Sequence, residues 1–310
     1  MLLRSKDLLG LHDMPTEEIK LILDSASTMK QLLAQNAKKM PHLQGKSIVT
    51  LFYEDSTRTR LSFELAGKYL GATVSSLGVS TSSVKKGETL LDTGKTIEAM
   101  GTDVIVIRHP LAGAPKFLAD NFSGSVINAG DGYHEHPTQA LLDMFTMREH
   151  FGYIEGLKVS IIGDIYHSRV ARSNLWGLTR MGAAVTLCGP KTLLPPGIEH
   201  TGAVVTSSLE HALRDADVVM GLRIQKERLE GAFLSTLREY HRFFGVNEDT
   251  LNICENDIMI MHPGPVNRGV ELSSAVMDSD NSVINEQVTS GVAVRMALLY
   301  LLTRRKSDDA

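Results

Sequence analysis

The densest group of chemically capable residues in this sequence is Ser56-Thr57-Arg58-Thr59-Arg60. It follows an apolar run, residues 47–52 (SIVTLF), and opens a helical pattern over residues 60–70 (RLSFELAGKYL). A helix start leaves backbone N–H groups without partners inside the helix, and the helix dipole favours negative charge there. Three hydroxyls and two guanidiniums added to those donors make a site for a phosphate group. The plain alternative is a helix cap beside a solvated arginine. A cap uses one hydroxyl and gains nothing from two arginines at the positive end of the dipole, which favours the anion site. No glycine run ending in Lys accompanies the cluster, so it is not a P-loop.

Further candidates follow other strand-like runs. Arg108-His109-Pro110 comes directly after residues 103–107 (DVIVI), and open parallel sheets bind ligands beyond the carboxyl ends of their strands. The stretch from Gly130 to Gln139 holds His134, Glu135, His136 and Gln139. His134 and His136 flanking Glu135 suggest a metal, but no further His or Cys stands at a ligand spacing, so none is expected. A neutral His136 at a helix start, donating one hydrogen bond to an oxyanion, fits better. Ser82-Ser83-Val84-Lys85-Lys86-Gly87-Glu88 reads, by itself, as an exposed loop with solvated lysines.

In the second half, Gly163 to Arg169 and Arg223-Ile224-Gln225 each follow an apolar run. Gly163 lacks the companion glycines of G-x-G-x-x-G, so no nicotinamide cofactor is expected, nor any other. Guanidinium matches carboxylate in bidentate fashion, which makes Arg169 and Arg223 candidate carboxylate clamps; each alone also fits a surface ion pair. His262-Pro263-Gly264-Pro265 follows residues 258–261, and its two prolines fix a rigid turn that presents backbone carbonyls. Whether either proline bond is cis stays open at this level.

These residues need elements to place them. Helical spacing covers residues 16–35, with Thr16 as the expected N-cap, then 60–70, 89–100, 138–150, 171–181, 209–214 and 284–304. Strand-like runs cover 47–52, 74–77, 103–107, 125–128, 158–162, 184–187, 218–220 and 258–261. Strands alternating with helices predict an α/β fold of two lobes, each a parallel sheet flanked by helices, joined by interlobe helices. Expected boundaries are a first domain over 1–135, an interlobe helix over 136–150 and a second domain over 151–284. The last helix, within 285–310, is expected to pack back on the first lobe.

The composition narrows the function classes. A length of 310 residues suits two domains with real cores. Lys plus Arg number 32 against 36 Asp plus Glu, and aromatics are 5%, so nothing speaks for nucleic acid. Two cysteines, Cys188 and Cys254, exclude a disulfide framework and a four-thiolate zinc site. No apolar run of ~18 residues is present, and the charges at Arg4, Lys6 and Asp7 come too early for a signal peptide. A cytoplasmic protein without membrane contact is expected.

Residues 56–64 (STRTRLSFE), 85–90 (KKGETL), 108–110 (RHP), 136–139 (HPTQ) and 223–228 (RIQKER) occur in one order along the chain. Together they resemble the signatures of the aspartate/ornithine carbamoyltransferase family across nearly the whole length. Lys86 in KKGE and the Arg223-x-Gln225 pair are similar to the aspartate branch. The ornithine branch usually carries an HCLP turn and an Asp-x-x-x-Ser-Met-Gly loop, and this sequence has neither. Gly264 stands where the family often has Leu or Ala.

The resemblance implies a carbamoyl transfer from carbamoyl phosphate to L-aspartate, with ornithine or another amine as the rival acceptor. A non-catalytic carbamoyl phosphate-binding protein is the rival from another class. On this likeness Ser56, Thr57, Arg58 and Thr59 hold the phosphate, while Thr59, Arg108 and His136 are catalytic, holding the carbonyl oxygen. Gln139 and the turn at Pro263, Gly264 and Pro265 meet the carbamoyl group. Lys86, Arg169, Arg223 and Gln225 bind the aspartate carboxylates. Ser82 and Lys86 come from a neighbouring subunit of a homotrimer, which reverses the plain reading of the lysine loop; a regulatory chain in a larger assembly is a further possibility on the same likeness.

Overall fold

The central strands of this chain are short apolar runs rather than alternating ones, the pattern of strands covered on both faces, whereas the run over residues 73–78 is mostly exposed. The computed structural model describes residues 3–36, 38–78, 87–224 and 236–304 and arranges all nine strands it contains there as parallel neighbours. The chain divides into two compact units, Met1–Phe145 with Thr289–Ala310, and Thr146–Val288.

The first unit contains α1 (Thr16–Ala34), β1 (Ser47–Phe52), α2 (Thr57–Tyr69), β2 (Thr73–Gly78), α3 (Leu90–Ala99), β3 (Val104–His109), α4 (Ala114–Ala119) and β4 (Ser125–Asp131). Its sheet runs in the order β2-β1-β3-β4. Val49 and Leu51 of β1 and Ile105 and Ile107 of β3 share one face with Ile97, Leu118 and Phe122, all buried. On the other face α2 lies close to the sheet: a Cβ on Gly67 would stand 2.6 Å from Val74 Cγ2 and 3.1 Å from Ile48 Cδ1. The chain leaves this unit through α5 (Pro137–Phe151).

The second unit contains β5 (Lys158–Ile162), α6 (Arg169–Arg180), β6 (Ala184–Cys188), β7 (Val204–Thr206), α7 (Leu209–Leu213), β8 (Val218–Gly221), α8 (Leu237–Phe244), α9 (Glu248–Leu251), β9 (Met259–Met261) and α10 (Ser274–Met277). Its sheet runs β7-β6-β5-β8-β9. Ile162, Val219, Ile260, Leu213 and Leu272 belong to one buried cluster there, with Cys188 among them. Burial pushes the Cys188 thiol up to about 12, which leaves it an inert apolar side chain. The last helix, α11 (Ile284–Thr303), begins in the second unit and ends in the first. No helix among the described residues is long and apolar enough to cross a membrane.

Strands β1 and β5 match their expected limits at both ends, whereas several helices differ. Pro15, not Thr16, takes the N-cap position of α1, because its ring already holds φ at −59°. Helix α2 starts at Thr57, three residues before the expected Arg60; its first turn is polar throughout, so apolar periodicity cannot reveal it. The short elements α4, β7, α9 and α10 went unforeseen because three to six residues carry no measurable period.

The close approach of α2 generates an expectation. Gly67→Val should destabilise the protein by about 1–3 kcal/mol through overpacking against Val74 and Ile48, read as a lower urea midpoint at unchanged slope. An unchanged midpoint would show that α2 can move off the sheet at no cost.

Candidate active site

In the first sheet, successive strands are laid down to either side of the β1–β3 pair, so a crevice opens beyond the carboxyl ends of those two strands. Both ends carry chemistry. Tyr53 N–H, just after β1, donates to Arg108 O at 2.8 Å, and Arg108 is the penultimate residue of β3. The Arg108 guanidinium is held on two sides: Nε lies 3.1 Å from Glu54 Oε2, and Nη1 donates to Ser56 Oγ at 3.3 Å. The pair is mostly shielded from solvent, with side-chain exposures of 17% and 21%.

Ser56 occupies the N-cap position of α2 in extended conformation, yet its hydroxyl makes no cap hydrogen bond. The hydroxyl serves Arg108 instead, and the first turn of α2 presents its N–H groups beside Arg108. Thr57 and Arg58 are exposed, and Thr59 is buried. Positive charge, hydroxyls and a helix N-terminus of thirteen residues therefore meet at one place, which suits a phosphate-bearing ligand.

A turn after β4 supplies the remaining groups of this unit. Asp131 is 1% exposed and accepts from Gly113 N–H, Asn128 Nδ2 and Glu135 N–H, at 2.8–3.1 Å. His134 Nδ1 lies 3.0 Å from Asp131 Oδ2. Glu135, equally buried, accepts the N–H groups of Leu11 and His12 at 2.9 and 3.3 Å. His134 and Glu135 are thus engaged in holding the turn, a task that their spacing did not disclose. The turn delivers His136, whose carbonyl accepts the Gln139 N–H at 3.0 Å as α5 begins. His136 and Gln139 are both buried, and Gln139 Nε2 donates to Asp143 Oδ1 at 2.9 Å.

The second sheet repeats the arrangement around β5 and β8. Leu222 N–H donates to Ile162 O at 2.8 Å, and Gly163 (φ 142°) packs against Leu222, where a Cβ would stand 2.9 Å from the Leu222 Cβ. Asp164 Oδ1 accepts the His167 N–H at 3.1 Å, and both its oxygens lie 3.0 Å from His167 Nδ1. Ser168 then caps α6 through Ala171 N–H, so Arg169 is its first residue, 8% exposed.

Arg223 follows β8 and is half-buried. Its neighbour Ile224 is fixed by a hydrogen bond from its N–H to Glu271 Oε1 at 2.7 Å, and by Asn267 Nδ2 on its carbonyl at 3.2 Å. Burial pushes the Glu271 carboxyl above its ordinary range, against the N–H groups that it accepts. In the turn after β9, His262 Nδ1 accepts Gly264 N–H at 2.8 Å, and His262 N–H donates to Gln287 Oε1 at 2.9 Å. Gly264 has φ 65°, and the Gly264–Pro265 bond is cis; Pro263 and Gly264 are half-buried and Pro265 is exposed. Ser82, Lys86 and Gln225 lie outside the described residues.

Sequence reasoning missed Glu54, which had a signal in its place directly after a strand. It also missed Asp131 and Glu271, whose burial no spacing reveals.

Residues 6–149 match the family model described as aspartate/ornithine carbamoyltransferase, carbamoyl-P binding domain, and residues 155–302 match the Asp/Orn binding domain of the same family. The aspartate carbamoyltransferase catalytic subunit of Acetivibrio thermocellus is 65% identical over 310 residues, spanning 100% of this chain and 99% of that one. The corresponding subunit of Ruminiclostridium cellulolyticum is 64% identical over 98% of this chain and 97% of its own. A Trypanosoma cruzi aspartate transcarbamoylase, solved with N-(phosphonacetyl)-L-aspartic acid, superposes at TM-score 0.88 with 31% identity, covering 96% of each chain. The ornithine carbamoyltransferase of Pyrococcus furiosus superposes at 0.87 with 30% identity, covering 99% of this chain and 100% of that one. Backbone shape therefore does not separate the two acceptors, and neither does identity to these two solved structures; the curated relatives at 64–65% identity are both aspartate carbamoyltransferase catalytic subunits.

The Asp131 turn carries a pH dependence. Burial raises its carboxyl, but the hydrogen bonds from His134, Gly113, Asn128 and Glu135 outweigh that and leave it below the ordinary range. A carboxyl lowered in the folded state adds stability that is complete above the unfolded value and is lost as pH falls through the folded one. Asp131→Asn should cost about 1–3 kcal/mol at pH 7 and flatten the acid limb of stability below pH 3.8, in denaturation measured from pH 2 to 7. An unchanged acid limb would assign it to other carboxylates.

Proposed function

The chain belongs to the aspartate/ornithine carbamoyltransferase family, and we infer that it transfers the carbamoyl group of carbamoyl phosphate to the amino group of L-aspartate. The products are N-carbamoyl-L-aspartate and phosphate, an early step of pyrimidine biosynthesis. The observation that carries the donor half is the junction of the α2 N-terminus with Arg108, where a phosphate meets backbone donors and fixed positive charge. Aspartate as acceptor is supported by identity of 56–65% to eight aspartate carbamoyltransferase catalytic subunits.

In this reading Ser56, Thr57, Arg58 and Thr59 hold the phosphate. Thr59, Arg108 and His136 donate to the carbonyl oxygen, and their donation strengthens as that oxygen becomes an oxyanion. Gln139 and the turn at Pro263, Gly264 and Pro265 orient the carbamoyl amide. Arg169, Arg223 and Gln225, with Lys86, bind the two carboxylates of aspartate. Its amine attacks the carbonyl carbon, the bond from that carbon to the phosphate oxygen breaks, and the departing phosphate takes the amine proton. Ser82 and Lys86 are supplied by a neighbouring subunit of a homotrimer in the cytoplasm, open to a further assembly with a regulatory chain.

Purified protein with carbamoyl phosphate, a chelator, and either L-aspartate or L-ornithine should form carbamoyl aspartate only. Citrulline instead would overturn the roles of Arg223 and Gln225 while keeping the phosphate site. Arg58→Ala should lower kcat/KM by a factor of about 100 or more, about 3 kcal/mol of transition-state binding. Mixed trimers of Arg58→Ala and Lys86→Ala chains should regain part of the activity, because some sites then receive both native residues. Verified mixed trimers without any recovery would remove the shared-site assignment.

A further inference from the structure

One turn beyond Gln139, α5 carries a carboxylate that the reaction scheme leaves unused. Asp143 is fully buried, and its Oδ1 receives the hydrogen bond from Gln139 Nε2 at 2.9 Å. A carboxylate accepts and does not donate, so the Gln139 amide has one favourable orientation, with its NH2 on Asp143. The reverse orientation would set two acceptor oxygens against each other in a buried place. The amide oxygen, Oε1, is then the end left for a ligand.

Asp143 has a built surrounding of its own. Arg295 of α11, 4% exposed, donates from Nη1 to Ser62 Oγ at 2.8 Å and lies 5.1 Å from the Phe63 ring centroid, both on α2. Burial lowers Arg295 to about 10, opposed by the negative charge of Asp143, so it remains a cation at neutral pH. Gly291 leaves room for that guanidinium, since a Cβ there would stand 2.6 Å from Arg295 Nη1. The cation and the carboxylate lie together inside the first unit, where the charge of Asp143 favours the charged form of Arg295, and Arg295 ties α11 to α2.

We propose that Asp143 is a positioning residue that acts through Gln139: it presents the amide oxygen to the ligand and so makes the site select a carbonyl donor bearing NH2 over one bearing methyl. The inference rests on the reading that Gln139 meets the carbamoyl amide. NH2 and CH3 are close in size, so an apolar wall separates them poorly, whereas an acceptor held in one orientation pairs with the first and is left unpaired by the second.

Acetyl phosphate, which replaces that NH2 with methyl, is the probe. Affinities for carbamoyl phosphate, acetyl phosphate and inorganic phosphate are to be measured without aspartate on the wild-type protein and on Asp143→Asn. Asn can donate as well as accept, so it releases the Gln139 amide to take both orientations. The preference for carbamoyl over acetyl phosphate should fall about tenfold or more in Asp143→Asn, with inorganic phosphate bound as in the wild type. A preference that stays constant, whether both acyl phosphates weaken together or neither changes, would overturn the proposal and leave the functional reading standing. Should Asp143→Asn fail to fold beside an uncompensated Arg295, Asp143→Asn/Arg295→Met removes both charges and is read by the same ratio. A folded wild-type protein that binds neither acyl phosphate would sink the functional reading, and this one with it.

Discussion

A guanidinium at the carboxyl end of a buried strand has many conformations open to it unless neighbouring groups hold it. Arg108 is held by Glu54 and by the Ser56 hydroxyl, both on the connection from β1 to α2. The same contacts bring the first turn of α2 to Arg108, because the residue that would cap the helix is occupied by the arginine. In the proposed function, an incoming phosphate meets a charge already oriented and a helix end whose N-cap hydroxyl makes no cap hydrogen bond. Pre-set donors cost no reorganisation when charge develops, the condition for electrostatic stabilisation of an oxyanion.

Buried carboxylates do the corresponding work in the connections. Asp131 and Glu135 precede His136, Asp164 precedes Arg169, and Glu271 holds the residue after Arg223; each is 1% exposed. All four accept backbone N–H groups, which satisfies them away from water and fixes the loops. Their environments are not equivalent. Hydrogen bonds prevail over burial at Asp131, whereas burial prevails at Glu271. The first turn therefore weakens in acid, while the second carries no such penalty.

Much of the architecture was legible before any coordinates. The runs SIVTLF and KVSII gave β1 and β5 to the residue, because a strand covered on both faces is a short apolar segment bounded by polar turns. Helix α2 begins three residues before its apolar periodicity does, since its first turn is polar throughout. The edge strand β7 was missed: three residues against a single neighbour carry too little pattern.

Residue types and their order determined the kind of protein this is: a helix start rich in hydroxyls and arginines, arginines after strands and a family signature are all local features that one chain displays without folding. Tertiary structure decided which of those groups work together. Glu54 lies within six residues of Arg58 and Arg60, yet it pairs with Arg108, fifty-four positions away, because β1 and β3 are neighbours in the sheet. The tasks of Asp131, Glu271 and Asp143 likewise follow from burial and from the donors that face them, quantities set by packing between elements and carried by no single stretch of sequence.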